Sequence, residues 1–471
     1  MEVSVSRLTW QILLIGMILI PVAVASGEEN DPSKVKESPR RLVPTDLVYL
    51  GAFAAPESVT PPDFNEWAYG GHALAFNPTG DTGGPSDGFP GSLFIAGNAQ
   101  LDTIGEIAVP APLVTDDFSQ LIRAEILQPV SDLTGGLLAT TCAACSTCDC
   151  ANWDMGGLQY LEEVDRLAWT IFDWYNVGAE DLVSLGWTTL DFGSPSGVWH
   201  IGSRPNELDD PFHNAKTADY LLAAPPAIAA DNLGGRRLLS GYHRESGALG
   251  GSQGPTLFAM APWNEGNPPA AGADIDALPL FYYRWFIECT ENQFDQCDFD
   301  GYRVDDQWGG GVWVDTTEAG AILIFGLKGL GDNCYGDPGV ECPSPACEPN
   351  RGYHSDPYEP QVLFYDPAQV LEIVQGGRDP WDIQPYEVFR PTDEVFDLDC
   401  GVLSAVAFDR EHSLIYVAEQ AAGEWGDTAI HVWKVRTVLF ADGFESGGTD
   451  QWSSAVPGLR NIPAPRQGFR P

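Results

Sequence analysis

The chain has 471 residues and carries 67 acidic against 24 basic side chains, a net charge of −43 at neutral pH. A surface that acidic repels phosphate backbones and excludes nucleic acid as a partner. Hydrophobic residues make up 44% of the chain, 15 Trp among them, which is enough to bury a large core and excludes a disordered protein.

Only five of the 24 basic residues are Lys. Acid-rich, Lys-poor surfaces suit high ionic strength, where self-repulsion is screened, so solvation in a salty medium competes with cation attraction as the reason for the charge.

Residues 1–25 carry Arg7, an apolar run from Leu8 interrupted by Gln11 and Pro21, and the small-x-small exit Ala23-Val24-Ala25. This layout predicts a secretory signal peptide, with an uncleaved anchor as the alternative, and a secreted, cell-surface or periplasmic location. Its removal takes away Glu2 and Arg7 together and leaves the net charge at −43. No later segment approaches the about 18 unbroken apolar residues of a membrane span. Residues 26–41 are polar, charged and Pro-containing, a flexible leader.

Residues 42–438 are predicted to be one all-β domain of short apolar segments separated by Gly, Pro, Asp and Asn. Leu47–Phe53 is the first strand. A strand pair then appears twice: His72-Ala-Leu-Ala-Phe-Asn77 with Ser92–Gly97, and Ser404-Ala-Val-Ala-Phe-Asp409 with Ser413–Ala418. Looser relatives lie at Gly156–Tyr160, Arg237–Tyr242 and Gly310–Val314, and Gln361–Asp366 resembles a third strand.

First strands recur roughly every 70–95 residues, longer than the about 40–50 of compact propeller repeats. The expected fold is a β-propeller of six or seven blades with long inter-strand loops, its ring closed by pairing Leu47–Phe53 with the Ile430–Val435 region. A β-sandwich pair or a β-helix is the alternative. Residues 439–471 are expected to form a C-terminal tail or a truncated module.

All ten Cys follow the signal segment: Cys142, Cys145, Cys148, Cys150, Cys289, Cys297, Cys334, Cys342, Cys347 and Cys400. An exported chain oxidises its thiols, so disulfides are expected in pairings that spacing alone does not specify. The C-x-x-C spacing of the first cluster admits a structural zinc as the alternative, but no second such pair is present to complete it.

In a propeller, residues at the entrance to each innermost strand face the central channel. That geometry selects His72, Asp154, Trp308 and Asp399 as channel-mouth candidates, each beside glycines. Tight packing of converging strands explains the glycines equally well. His243-Arg244-Glu245 and Tyr353-His354-Ser355-Asp356 are polar groups that could supply an acid, a base or an anion clamp, or simply be exposed turns.

Calcium is the ion the acids best suit. Asp298, Asp300 and Asp305 offer hard oxygens around Gly301, although Gln296 and Gln307 fill the ends of an EF-hand register. The loop from Asp81 to Asp87 is a second acidic candidate, and solvated loops are the alternative for both. Trp67, Trp153, Trp174, Tyr175, Trp199 and Trp308 suit either sugar rings or wedges between blades. No His-Glu-x-x-His or phosphate-binding loop is present.

The stretch Asp46–Phe53 with Tyr69-Gly-Gly-His-Ala-Leu-Ala-Phe-Asn-Pro78 resembles the start of uncharacterised secreted bacterial proteins with β-propeller-like repeats. The resemblance covers the first blade and implies the fold and the export, but no catalytic residue. Leu439–Trp452 resembles the F-x-D-G-F-E-S-G segment near the C-terminus of many exported bacterial proteins.

The expected function is an exported binding or interaction module whose ligand is an extracellular glycan or protein. Two alternatives stand beside it: a polysaccharide hydrolase or lyase using Asp154 and Asp399, and an extracellular scaffold without a small-molecule ligand.

Overall fold

Short strands need frequent turns between them, and the Gly-, Asn- and Asp-rich connections of this chain provide them. The computed structural model describes residues 39–57, 66–81, 88–98, 101–145, 150, 153–173, 183–202, 216–243, 251–289, 297–336, 352–398 and 401–436. The signal segment, most of the leader and the C-terminal tail read from the sequence lie outside these residues.

Two strands precede the first blade, β1 (Arg40–Arg41) and β2 (Leu47–Ala54). Blade 1 is β3 (Leu74–Asn77), β4 (Ser92–Ala96), β5 (Ile104–Ala108) and β6 (Ile126–Ser131). A short helix, α1 (Leu137–Ala144), leads to blade 2: β7 (Trp153–Leu161), β8 (Arg166–Asp173), β9 (Leu185–Thr188) and β10 (Ser196–Ile201).

Blade 3 begins with β11 (Tyr220–Ala223), followed by α2 (Pro226–Asn232), β12 (Leu238–Gly241) and β13 (Leu257–Met260). The chain then adds β14 (Asp274–Ile275) to the edge of blade 2, parallel to β10, before β15 (Ala277–Phe281) completes blade 3.

Blade 4 contains β16 (Gln307–Asp315) and β17 (Ala319–Gly329), interrupted by a hairpin of β18 (Cys334–Gly336) and β19 (Gly352–His354). It continues with β20 (Tyr358–Tyr365), α3 (Pro367–Val374) and β21 (Glu387–Phe389). Asp366 follows β20 and caps α3, its carboxylate accepting the Ala368 N–H at 2.9 Å. Blade 5 is β22 (Val402–Asp409), β23 (Leu414–Gln420) and β24 (Ala429–Val435).

The fourth strand of blade 5 comes from the other end of the domain. β2 pairs antiparallel with β24, from Leu47 opposite Val435 to Ala54 opposite Ala429. The closure expected from the sequence is therefore present, and it ties both ends of the propeller into one sheet. Around the axis β3 packs on β7, β7 on β11, β11 on β16, β16 on β22, and β22 back on β3.

The ring has five blades, not six or seven. The five strand-pair signals in the sequence are one per blade, and their wide spacing is the true blade length. Helices, the β18–β19 hairpin and long connections fill the residues that suggested further blades. In blade 3 the expected first strand is also displaced: Arg237–Tyr242 contains its second strand, and its first is Tyr220–Ala223.

Each blade buries both faces, so neighbouring residues on one strand serve opposite interfaces. On β3, Leu74 and Phe76 pack with blade 5 while Ala75 packs with blade 2. On β11, Leu221 faces Trp187 and Trp199 of blade 2, and Tyr220 and Leu222 face Trp308 and Trp313 of blade 4. On β23, Ile415 and Val417 face blade 4, and Tyr416 faces blade 1. Two-sided burial is why these strands are apolar throughout rather than alternating, and why Trp169, Trp199, Trp313 and Trp433 are wedges with almost no exposed surface.

Cys142 is bonded to Cys150 and Cys289 to Cys297; Cys145 and Cys334 are also disulfide-bonded. Thiols oxidised in this way cannot ligate zinc, so the zinc alternative for the first cluster falls. Cys148, Cys342, Cys347 and Cys400 lie outside the described residues. No helix among the described residues is long and apolar enough to cross a membrane.

Candidate ligand-binding site at the channel mouth

The innermost strands converge at their N-terminal ends, and close approach there requires residues without side chains. A Cβ on Gly156 would lie 2.0 Å from the Ala218 carbonyl oxygen, and one on Gly309 would lie 2.4 Å from Ser404 Cα. Three of the five strands also gain one residue at this end: β7 between Met155 and Leu158, β16 between Trp308 and Gly310, and β22 between Leu403 and Val406. Such bulges re-aim side chains where a sheet meets a site. The N–H of Gly157 in the first bulge is taken by Thr170 Oγ1 at 2.7 Å.

The convergence encloses a cavity of about 240 Å³ to which every blade contributes. His72 enters from blade 1, Asp154 and Phe172 from blade 2, and Asp219 and His243 from blade 3. Blade 4 supplies Gln307 and Gly309; blade 5 supplies Val402, Ser404 and Gln420. Tyr69, nearly half exposed, forms part of the wall.

Hydrogen bonds between blades hold these entrances in register. Ser404 Oγ donates to the Gly71 carbonyl at 3.0 Å, tying blade 5 to the loop that carries His72. Trp308 N donates to the His243 carbonyl at 2.7 Å, joining blades 4 and 3, and within blade 3 His243 N donates to Asp219 Oδ2 at 2.7 Å.

Burial shifts the titratable groups of the cavity toward their uncharged forms. It lowers the His72 imidazole to about 4, and the Nδ1 of that ring meets no hydrogen-bond partner among the described residues. It pushes the Asp154 carboxyl up to about 7, aided by the charges of Asp102 and Asp173. Asp219 is 8% exposed, and burial raises it well above the usual carboxylate range against the opposing effect of the His243 N–H. Its Oδ1 has no hydrogen-bond partner among the described residues. The mouth therefore holds an imidazole and carboxyl groups whose titration is displaced toward the uncharged forms, in a chain whose net charge is −43.

Of the residues selected from the sequence, His72, Asp154 and His243 meet in this cavity. Trp308 does not. It is 1% exposed in the core between blades 3 and 4, its ring edge-on to Phe299 with centroids 6.2 Å apart. The β16 bulge explains the difference, because it turns Gly309 toward the mouth and Trp308 away. Asp399 lies outside the described residues; Val402, three residues on, reaches the cavity. Trp67, Trp153 and Trp199 are buried in the interfaces between blades, which makes them wedges, and Trp174, Tyr175, Arg244 and Glu245 lie outside the described residues.

The acids proposed for calcium are not brought together. Asp298 is paired with Arg284 at 2.8 Å. Asp300 offers its backbone N–H to Gln384, and Asp305, fully buried, lies 3.5 Å from Arg303 Nε. The neighbouring Asp306 is held by Lys328 at 2.6 Å. No group of three metal-ligating side chains occurs among the described residues. Of the other acidic loop, residues 82–87 lie outside the described residues, and His354 sits in the β18–β19 hairpin rather than at the mouth.

Asp219, Gln307 and Gln420 were missed from the sequence. The signal for Asp219 was available, since it directly precedes the apolar run Tyr220–Ala223 as His72 precedes Ala73–Phe76. It was hidden because Arg237–Tyr242 is the more strand-like segment of the same blade.

No protein-family model matches the chain, and no curated protein matches it either. Function is therefore read from the geometry of the mouth.

Proposed function

We propose that this protein is an exported β-propeller that binds a neutral, hydroxyl-rich ligand at its channel mouth, an extracellular glycan being the ligand class. The observation that carries this reading is the convergence of five strand entrances on one cavity whose carboxyl and imidazole groups are shifted toward neutrality. Neutral carboxyl, imidazole and amide groups offer both donors and acceptors, which is what sugar hydroxyls require. The ring of Tyr69 adds a flat apolar face of the kind a sugar packs on. Export is supported by the Met1–Ala25 segment and by the disulfides.

The test is a glycan array followed by calorimetry on the purified protein and on Asp219→Ala and Gln307→Ala variants. Saturable binding weakened at least about tenfold in both variants supports the reading. A protein that binds no glycan, or one whose binding both variants leave unchanged, overturns it.

Asp154 favours a second reading. A carboxyl that holds its proton up to about 7 is suited to general acid catalysis on a polysaccharide. Hydrolysis needs an ionised carboxylate as its partner, and burial disfavours that form at Asp219, the other carboxyl of the mouth. Release of reducing ends from a bound glycan, abolished by Asp154→Asn, would establish this second reading in place of simple binding.

A further inference from the structure

A second cavity, of about 200 Å³, lies at the opposite end of the innermost strands and is again lined by all five blades. Its charged lining consists of Arg237, Arg410, Glu162, Glu163, Asp409 and Glu411. Three of these are satisfied within the protein. Arg237 Nε lies 2.5 Å from Glu163 Oε1, and Asp409 accepts the His412 N–H at 3.0 Å and faces that imidazole at 2.7 Å.

Arg410 is different. Its Nη1 donates to the Trp313 carbonyl and its Nη2 to the Ala223 carbonyl, both at 3.2 Å, and its guanidinium covers the Phe408 ring at 5.1 Å. Among the described residues it forms no ion pair. Two contacts leave three of its five N–H groups available. Burial and the nearby Arg237 lower its pKa to about 10, a sign that the surrounding acids compensate the charge incompletely. Glu162 and Glu411, exposed at the rim, likewise form no ion pair among the described residues.

We propose that this cavity binds a small zwitterion of the α-amino-acid type, its carboxylate on Arg410 and its ammonium on Glu162 and Glu411. A guanidinium with free N–H groups recognises a carboxylate well, and the pair is strengthened where water is partly excluded. A simple anion would be repelled by the rim acids, and a simple cation would meet Arg410. Only a ligand bearing both charges matches the lining. The volume admits a small molecule and no polymer. This site is independent of the glycan reading, because it shares no residue with the channel mouth.

The experiment is calorimetric titration of the full chain with glycine, L-alanine and L-glutamine, each compared with acetate and methylamine. The amino acids should bind at least about tenfold more tightly than either single-charge probe, and Arg410→Gln should remove that binding. The Glu162→Gln/Glu411→Gln double variant changes only exposed side chains and does not depend on Arg410→Gln folding. It should weaken the amino acids about tenfold and leave acetate undiminished or bound more tightly, because the rim charges that repel it are gone. Acetate binding as tightly as the amino acids, no binding by any of the three, or affinities unaltered in the double variant would each overturn the proposal.

Discussion

His431 Nε2 lies 2.7 Å from Glu419 Oε2, and neither side chain has any exposed surface. The other ring nitrogen of His431 faces the Tyr49 hydroxyl at 3.0 Å, so β2, β23 and β24 are joined inside blade 5. Glu419 also accepts the N–H groups of Phe396 and Asp397 at 3.0 and 2.9 Å. It thereby anchors the segment that leads into β22 and the channel mouth.

Removing one member of a buried pair strands the other. Glu419→Ala should cost about 3–5 kcal/mol in urea unfolding, and Glu419→Gln less, because the amide oxygen still accepts one of the backbone N–H groups. Equal stability of Glu419→Ala and the parent protein would refute the anchoring role.

His72 gives a pH dependence of defined sign. Its folded pKa, about 4, lies below the ordinary value of 6.5, so the unfolded chain binds the proton more tightly. The neutral imidazole therefore contributes stability that is present above about 6.5 and is lost as pH falls toward 4. The His72→Gln variant should flatten that part of the stability curve by on the order of 2–3 kcal/mol, measured by urea unfolding at several pH values.

Asp154 gives the opposite sign. Its folded value of about 7 exceeds the ordinary 3.8, so the native state holds the proton more tightly. Stability falls as pH rises from about 4 to about 7 and then levels off. In Asp154→Asn this decline should shrink, so that the thermal midpoint changes less than in the parent between about pH 5 and about pH 8. Identical midpoint profiles for variant and parent would contradict the raised carboxyl.

Gly309 tests the convergence at the mouth. Its would-be Cβ meets the backbone of Ser404, which belongs to the neighbouring blade and has no side-chain freedom with which to yield. Gly309→Ala should cost about 1–3 kcal/mol and weaken ligand binding together with stability. A variant as stable as the parent would mean that the strands can part without penalty.

Local patterning settles the features that depend on neighbours along the chain. Short strands apolar on both faces required blades packed on both sides, and β2 was legible as the closing strand because it matched the last blade in character. His72 and Asp154 were legible because each sits just before or within the first residues of an innermost strand. Blade number was not legible, since long connections have the same local composition whether they decorate five blades or separate seven. Nor was the composition of the mouth: a one-residue bulge sends Trp308 into the core and Gly309 to the cavity, and Asp219 arrives from a strand with a weak local signal. The shift of the mouth toward neutrality was decided by tertiary structure alone, because desolvation depends on how closely five distant segments approach one another, and no local pattern encodes that distance.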